Sequence, residues 1–373
     1  MMRDSFEVDP IETIIGNARD GLPYILVDAP DRENEGDIII PAQFATPRQI
    51  AFMATHARGL ICLALNSERA SQLRLAPMTH SNESGHGTAF TVSIEAREGV
   101  TTGISAHDRA RTIAVAIDAS KGAGDLVSPG HVFPLVARPG GVLVRAGHTE
   151  AAVDISRLAG LAPSGVICEI MNDDGTMSRL PELFAFAQKH GLHVGTIADL
   201  IAYRRKSESL IERIIEAPFE SYYAQDFRIV VYRNTVDGGE HVALVRGEPS
   251  PTKATLVRVH QVDLTADLLG WSASHRDYVS TALQVLAKHD GPAVAVFVQD
   301  PGPTSISDRV KGFRKAYSES HSYRDYGVGA QILRDLGVRD MILLTSSSNK
   351  LAALEGFGLQ VVGRQSLVET LLP

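Results

Sequence analysis

Apolar residues at helical spacing over 11–18 predict a first helix, and the Gly21-Leu22-Pro23 break leads into Tyr24-Ile25-Leu26-Val27, short and apolar like a buried strand. A second apolar run, Asp37-Ile38-Ile39-Ile40, follows an acidic stretch. The pattern turns helical over 47–57, and 59–65 reads as another strand. The segment 78–103 is rich in Gly, Ser, Thr and His without clear periodicity, and loops of such length are often functional. Helical spacing returns over 109–119. A strand is expected over 141–145, a helix over 149–158, a strand over 166–170, and a helix opened by Pro181 that ends around His190-Gly191.

Helical pattern continues from 197 to about 215, where Ala217-Pro218-Phe219 breaks it before a strand over 227–232. Beyond it, strands are expected over 241–246, 254–260, 293–298 and 341–345, with helices over 277–289 and 325–336. No internal repeat or low-complexity tract interrupts the alternation. The fold class is therefore α/β (α+β) in two domains, residues 1–207 and 208–373, as a chain of 373 residues suggests at 100 to 200 per domain.

Composition narrows the function. With 44% hydrophobic and 21% charged residues the chain is an ordinary globular protein. Lys+Arg 36 against Asp+Glu 44 gives −8, a field that repels nucleic acid and anionic membrane. Two cysteines, Cys62 and Cys168, are too few for a disulfide framework and point to packing residues in a reducing cytosol. No apolar run reaches the roughly 18 to 20 residues that span a bilayer, and the charged start does not suit a signal peptide. A cytoplasmic enzyme or binding protein is expected. Gly327-Val328-Gly329 and Gly356-Phe357-Gly358 lack the third glycine of a dinucleotide fingerprint and read as turns, and no GxxxxGK[ST] or HExxH occurs.

Four places carry candidate chemistry. Asp31-Arg32-Glu33-Asn34-Glu35-Gly36-Asp37 sets four carboxylates at alternate positions, which in extended backbone share one side and repel. A hard divalent cation or the neighbouring Arg32 guanidinium relieves that repulsion; a solvated hairpin tip is the alternative. Arg145-Ala146-Gly147-His148-Thr149-Glu150 lies where strand gives way to helix, so its amides face an anion: Gly147 allows close approach, Thr149 caps, Arg145 pairs a phosphate, and His148 is a ligand, a base or incidental. Glu169 interrupts an apolar strand, either outward from an edge or as an acid or base tuned by burial. His131 lies on a rigid Pro-Gly turn, Ser128-Pro129-Gly130-His131.

Together, the acidic stretch, Ser128-Pro-Gly-His-Val-Phe-Pro134, the Arg145 segment and Gly165-Val-Ile-Cys-Glu-Ile-Met-Asn-Asp-Asp-Gly-Thr-Met177 resemble 3,4-dihydroxy-2-butanone 4-phosphate synthase over about 8–207. That resemblance implies a lyase of riboflavin biosynthesis that converts D-ribulose 5-phosphate to formate and 3,4-dihydroxy-2-butanone 4-phosphate with Mg²⁺ or Mn²⁺, in a homodimer with its sites near the subunit interface. It further implies metal binding by Glu33 and His148, substrate binding by Arg32, Glu33, Asp37, Arg145, Ala146, Gly147, His148, Thr149 and Glu169, and proton handling by His131 with Glu169.

Residues 208–373 resemble GTP cyclohydrolase II through His241-Val-Ala-Leu-Val-Arg-Gly, Leu256-Val-Arg-Val-His260 and Asp325-Tyr-Gly-Val-Gly-Ala-Gln-Ile-Leu333. The zinc of that family needs three thiolates, and the corresponding positions here are Asp263, Ser274 and Arg276. A charged guanidinium is no ligand, and the Arg-Gln-Glu-Gly-Arg-Gly stretch of the family is replaced by Gln299-Asp300-Pro301-Gly302-Pro303-Thr304. The expectation is a scaffold without zinc or cyclohydrolase activity that serves assembly or regulation, against the alternative of a bifunctional enzyme that also hydrolyses GTP.

Overall fold

The computed structural model describes residues 7–79, 81–83, 85–271, 277–299, 306–307, 310, 319–345 and 358–367, with backbone alone over 319–326. It divides into two compact units, Met1–Arg204 and Arg205–Pro373. Each is a mixed α/β unit around one seven-stranded sheet.

The first unit runs α1 Ile11–Arg19, β1 Tyr24–Val27, β2 Gly36–Pro41, α2 Pro47–Phe52, β3 Cys62–Leu65, α3 Ser67–Gln72, β4 Ile94–Ala96, α4 Ala106–Ile117, β5 Leu126–Val136, α5 His148–Leu158, β6 Ser164–Glu169, α6 Leu180–His190, β7 Val194–Thr196 and α7 Ile197–Ser207, whose end passes the division. The strand order is β4-β5-β3-β6-β2-β1-β7. β1, β2, β3 and β6 are covered on both faces, which is why they read as unbroken apolar runs. One face packs Ile25, Ile38, Ile40, Leu63 and Cys168 against α2, α4 and α6. The other packs Tyr24, Leu26, Ile39, Cys62 and Ile167 against α1 and α5. Each fully buried Ile or Leu contributes about 1.5–3 kcal/mol.

Three expectations need correction here. Residues 141–143 form a 3-10 turn, Gly141–Leu143, because the Asp154 carboxylate sits where a side chain at Gly141 would lie and accepts from Val142 N–H (2.8 Å). The Ser128–His131 stretch is not a turn between elements but a wide bulge inside β5. Ile94 and Glu95, adjacent in β4, pair with Val132 and Val127, so the residues between swing out of the ladder. The 78–103 stretch contains β4, and its first part folds back on itself through Met78 N–H to Phe90 O (3.0 Å).

The second unit orders its strands β14-β13-β11-β12-β10-β9-β8, with β8 Ile211–Phe219, β9 Phe227–Asn234, β10 Glu240–Arg246, β11 Thr255–Gln261, β12 Ala293–Val298, β13 Asp340–Leu344 and β14 Gln360–Gln365. Helix α8, Tyr278–Lys288, packs on one face, and the second half of α9, Glu319–Asp335, packs on the other, so Gly327-Val328-Gly329 lies inside a helix and not in the expected turn. The expected helix to residue 215 ends at Ser207. Ile211, Ile214 and Ile215 mimic helical spacing only because a register shift between Arg213 and Ile215 disrupts the strand's two-residue period, and Pro218 is tolerated on this edge strand.

Candidate active site

Strand β1 ends at Val27, and the next residue, Asp28, folds the acidic loop around its own carboxylate. That group accepts from the amides of Glu33 (3.1 Å) and Glu35 (2.8 Å) and from Arg32 Nη1 (2.8 Å). Arg32 Nη1 also reaches Glu33 Oε2 (2.9 Å), so the guanidinium lies between two carboxylates. Asn34 is left-handed, with φ 56°, which breaks the even alternation of the acidic residues. Asp31 is exposed at the turn, while Glu33 and Asp37 converge below it on His148.

His148 opens α5, with Gly147 as its N-cap. The expected cap at Thr149 is therefore not formed; the helix starts one residue earlier and Thr149 is buried in its first turn. The imidazole is 5% exposed, and its Nε2 lies 3.2 Å from Leu26 O. A carbonyl only accepts, so Nε2 carries the proton. Burial holds the ring below the ordinary histidine range, so it is neutral at pH 7 and Nδ1 presents a lone pair. That nitrogen faces Asp37 Oδ1 at 3.6 Å and Glu33 Oε2 at 4.0 Å. Asp37 Oδ1 is buried without a hydrogen-bond partner. Burial, then the charges of Glu169, Glu33, Glu35 and Asp28, push the Asp37 carboxyl well above its usual range.

Ligand atoms of Asp28, Glu33 and His148 lie within 4.8 Å of one another, the one such group among the described residues. An octahedral ion with bonds of about 2.1 Å needs donors within about 4.2 Å, a short side-chain adjustment away. An imidazole with its far nitrogen fixed by a carbonyl, oxygen donors and an orphaned buried carboxylate oxygen together suit a hard divalent cation. Sequence reasoning missed Asp28. Its signal was the first polar residue after an apolar strand, where Asp binds amides of the following turn.

Glu169 closes β6 directly across from Asp37 of β2. Its Oε2 accepts from Leu60 N–H (2.8 Å) and its carbonyl from Gly59 N–H (3.1 Å). Burial raises its pKa. The strand thus carries Glu169 at its end, beside the acidic loop, and not in its middle. His131 Nδ1 pairs with Glu95 Oε2 (2.7 Å) rather than with Glu169, and its side chain is 44% exposed. The expected phosphate role of Arg145 meets a committed guanidinium, since Nη1 reaches Glu150 (2.6 Å), Nη2 Thr88 Oγ1 (2.8 Å) and Nε His86 O (3.1 Å). A Cβ on Gly147 would lie 2.4 Å from that Nη1, so glycine there lets the guanidinium pass beneath the helix start, next to Ala146. Cys62 and Cys168 are buried, and burial pushes both thiols up.

In the second unit the Asp263 carboxylate is engaged as a cap, accepting from Thr265 N–H (3.0 Å), Thr265 Oγ1 (2.6 Å) and Ala266 N–H (3.1 Å). His260 Nε2 pairs with Asp267 Oδ2 (2.8 Å). Ser274, Arg276, residues 300–304, Gly356 and Phe357 lie outside the described residues. Among the described residues no helix is long and apolar enough to cross a membrane.

Residues 12–203 match the family model of 3,4-dihydroxy-2-butanone 4-phosphate synthase, and residues 212–366 that of GTP cyclohydrolase II. The riboflavin biosynthesis protein RibBA of Aquifex aeolicus is 49% identical over 97% of this chain and 93% of its own. The 3,4-dihydroxy-2-butanone 4-phosphate synthase of Photobacterium phosphoreum is 48% identical over 94% of this chain and 97% of its own. Among solved structures, RibBX, a two-domain 3,4-dihydroxy-2-butanone 4-phosphate synthase from A. baumannii, aligns with TM-score 0.75 and 42% identity over 96% of this chain and 99% of its own. A 3,4-dihydroxy-2-butanone 4-phosphate synthase in complex with two magnesium ions aligns with TM-score 0.51 and 43% identity over 53% of this chain and 98% of its own.

Proposed function

Because this chain belongs to the 3,4-dihydroxy-2-butanone 4-phosphate synthase family, we propose that its residues 1–207 convert D-ribulose 5-phosphate to 3,4-dihydroxy-2-butanone 4-phosphate and formate. The two products sum to the substrate atom for atom, so the reaction needs no oxidant or co-substrate. The observation that carries this reading is the neutral His148 ring, whose free Nδ1 faces Glu33 and the orphaned Asp37 oxygen. Glu33 and His148, with Asp28 beside them, would hold Mg²⁺ or Mn²⁺, which when bound supplies positive charge to polarise the sugar's carbonyl and hydroxyl oxygens.

The remaining roles fall to the chain's own groups. Arg32 and Asp37 line the sugar position, and the amides of Gly147, His148 and Thr149 at the start of α5 receive the phosphate, with Ala146 and Arg145 shaping that corner. The contacts of Arg145 with Thr88 and His86 bring the 78–103 stretch beside the helix start, where it shields the reacting sugar from water. Glu169, its Oε2 held by Leu60 N–H and its pKa raised by burial, takes and returns a proton; His131, held by Glu95, is its partner in proton transfer. The exposure of His131 supports a homodimer with sites near the subunit interface, and the charge of −8 with two buried cysteines supports a cytoplasmic location. We assign residues 208–373 a non-catalytic assembly or regulatory role without zinc, supported by the capping use of Asp263.

The test is formate release from ribulose 5-phosphate with Mg²⁺. Wild type is expected to be active and Glu33→Ala to lose at least about a hundredfold; a fully active variant refutes the metal role. With GTP as sole substrate the whole protein is expected to release no formate and to carry no zinc. Stoichiometric zinc with GTP turnover refutes the second assignment.

A further inference from the structure

The acidic loop is gripped from two sides. From inside, Asp28 takes the amides of Glu33 and Glu35. From outside, Arg179, the N-cap residue of α6, donates from one nitrogen, Nη1, to the carbonyl of Glu33 (2.8 Å) and also to the carbonyl of Asn34. Nothing in the sequence links these positions, which lie 146 and 145 residues apart. The N-cap is pinned in turn, because the Arg179 N–H donates to Glu182 Oε2 (3.1 Å). Helix α6 is also seated against the loop's end: a Cβ on Gly36 would lie 2.5 Å from Leu183 Cδ1, so only glycine lets the helix approach this closely.

The two carbonyls belong to the candidate ligand residue and to the one after it, and they turn toward one nitrogen because Asn34 is left-handed. That conformation costs an L-residue about 1–2 kcal/mol and persists only where surrounding contacts enforce it. Arg179 supplies that enforcement on the carbonyl side. Without it, Asp28 still holds the amides, but Asn34 is free to relax, and the peptide that carries Glu33 turns with it. The guanidinium is half-buried, and its hydrogen bonds go to these two carbonyls rather than to the carboxylates of Glu33 or Asp37 or to the His148 ring.

We propose that Arg179 is a positioning residue for divalent-cation binding: it locks the backbone of the acidic loop so that the Glu33 carboxylate is held toward His148 Nδ1. This rests on the metal-dependent synthase reading of the same site. An ammonium on a flexible stem grips two carbonyls less well than a rigid guanidinium, so Arg179→Lys should fall between wild type and Arg179→Ala.

The test titrates Mn²⁺, a paramagnetic probe, into metal-free full-length protein by electron paramagnetic resonance, beside kcat at rising Mg²⁺. Arg179→Ala is expected to weaken Mn²⁺ binding by about 10- to 100-fold, with kcat recovering toward wild type as Mg²⁺ saturates and Arg179→Lys intermediate. Mn²⁺ affinity equal to wild type in Arg179→Ala overturns the proposal, as does a kcat that stays low at saturating Mg²⁺ with unchanged affinity. If Arg179→Ala proves too unstable to handle, Arg179→Lys is read alone, and wild-type affinity in it overturns the lock. Failure of the underlying reading looks different: wild type then releases no formate, or Glu33→Ala binds Mn²⁺ as tightly as wild type.

Discussion

Gly59 is the position where one added carbon tests the catalytic geometry most directly. A Cβ there would lie 2.4 Å from Glu169 O, 2.5 Å from Glu169 Oε2 and 2.6 Å from Glu169 N. Ordinary contacts begin near 3.4 Å, so Gly59→Ala forces the two segments apart by about 1 Å. Two hydrogen bonds span this gap, Gly59 N–H to Glu169 O at 3.1 Å and Leu60 N–H to Glu169 Oε2 at 2.8 Å, and both stretch beyond bonding range. A neutral bond contributes about 0.5–1.5 kcal/mol and one to a charged group about 1.5–3 kcal/mol, so the loss is about 2–4.5 kcal/mol. Urea unfolding should report that loss, and formate release should fall much further than a destabilised but folded enzyme explains, because Glu169 no longer sits across from Asp37. A variant with wild-type stability and turnover would refute both the contact and the role given to Glu169.

Asp37→Asn should stabilise the metal-free protein while abolishing activity. Burial and like charges raise the native carboxyl pKa, so the native state binds the proton more tightly than the unfolded chain. The wild type therefore keeps its full stability below the ordinary carboxylate range and loses it as pH rises through that range toward the native pKa. The advantage of Asn should be absent near pH 3 and grow upward from about pH 4, and an advantage that shrinks with pH contradicts the assignment. In a separate place, Arg204 and Asp154 form an ion pair at 2.8 Å with side chains 7% and 5% exposed. Arg204→Met should cost about 3–5 kcal/mol in unfolding experiments, and adding Asp154→Asn should recover part of it; a variant as stable as wild type shows the pair to be dispensable.

The sequence made the central strands legible because β1, β2, β3 and β6 are buried on both faces, and full burial leaves no polar alternation to confuse the pattern. It failed where tertiary contact overrode local pattern. The bulge in β8 disguised an edge strand as a helix, and the bulge in β5 made a strand look like a turn. Short β7, three residues long, offered too few residues to announce itself.

The candidate chemistry divides the same way. The amino-acid order alone put Glu33 and Asp37 in one acidic loop, His148 at a helix start and Glu169 within an apolar run, because these depend on residue type and short spacing. The folded chain alone decided that β2 and β6 pair Asp37 with Glu169, that the carbonyl of Leu26 fixes which nitrogen of His148 is free, and that Asp28, Glu95 and Arg179 hold the others in place. Those are contacts between residues from 5 to 146 positions apart. Most are set by sheet register and helix docking, which no local window of sequence contains.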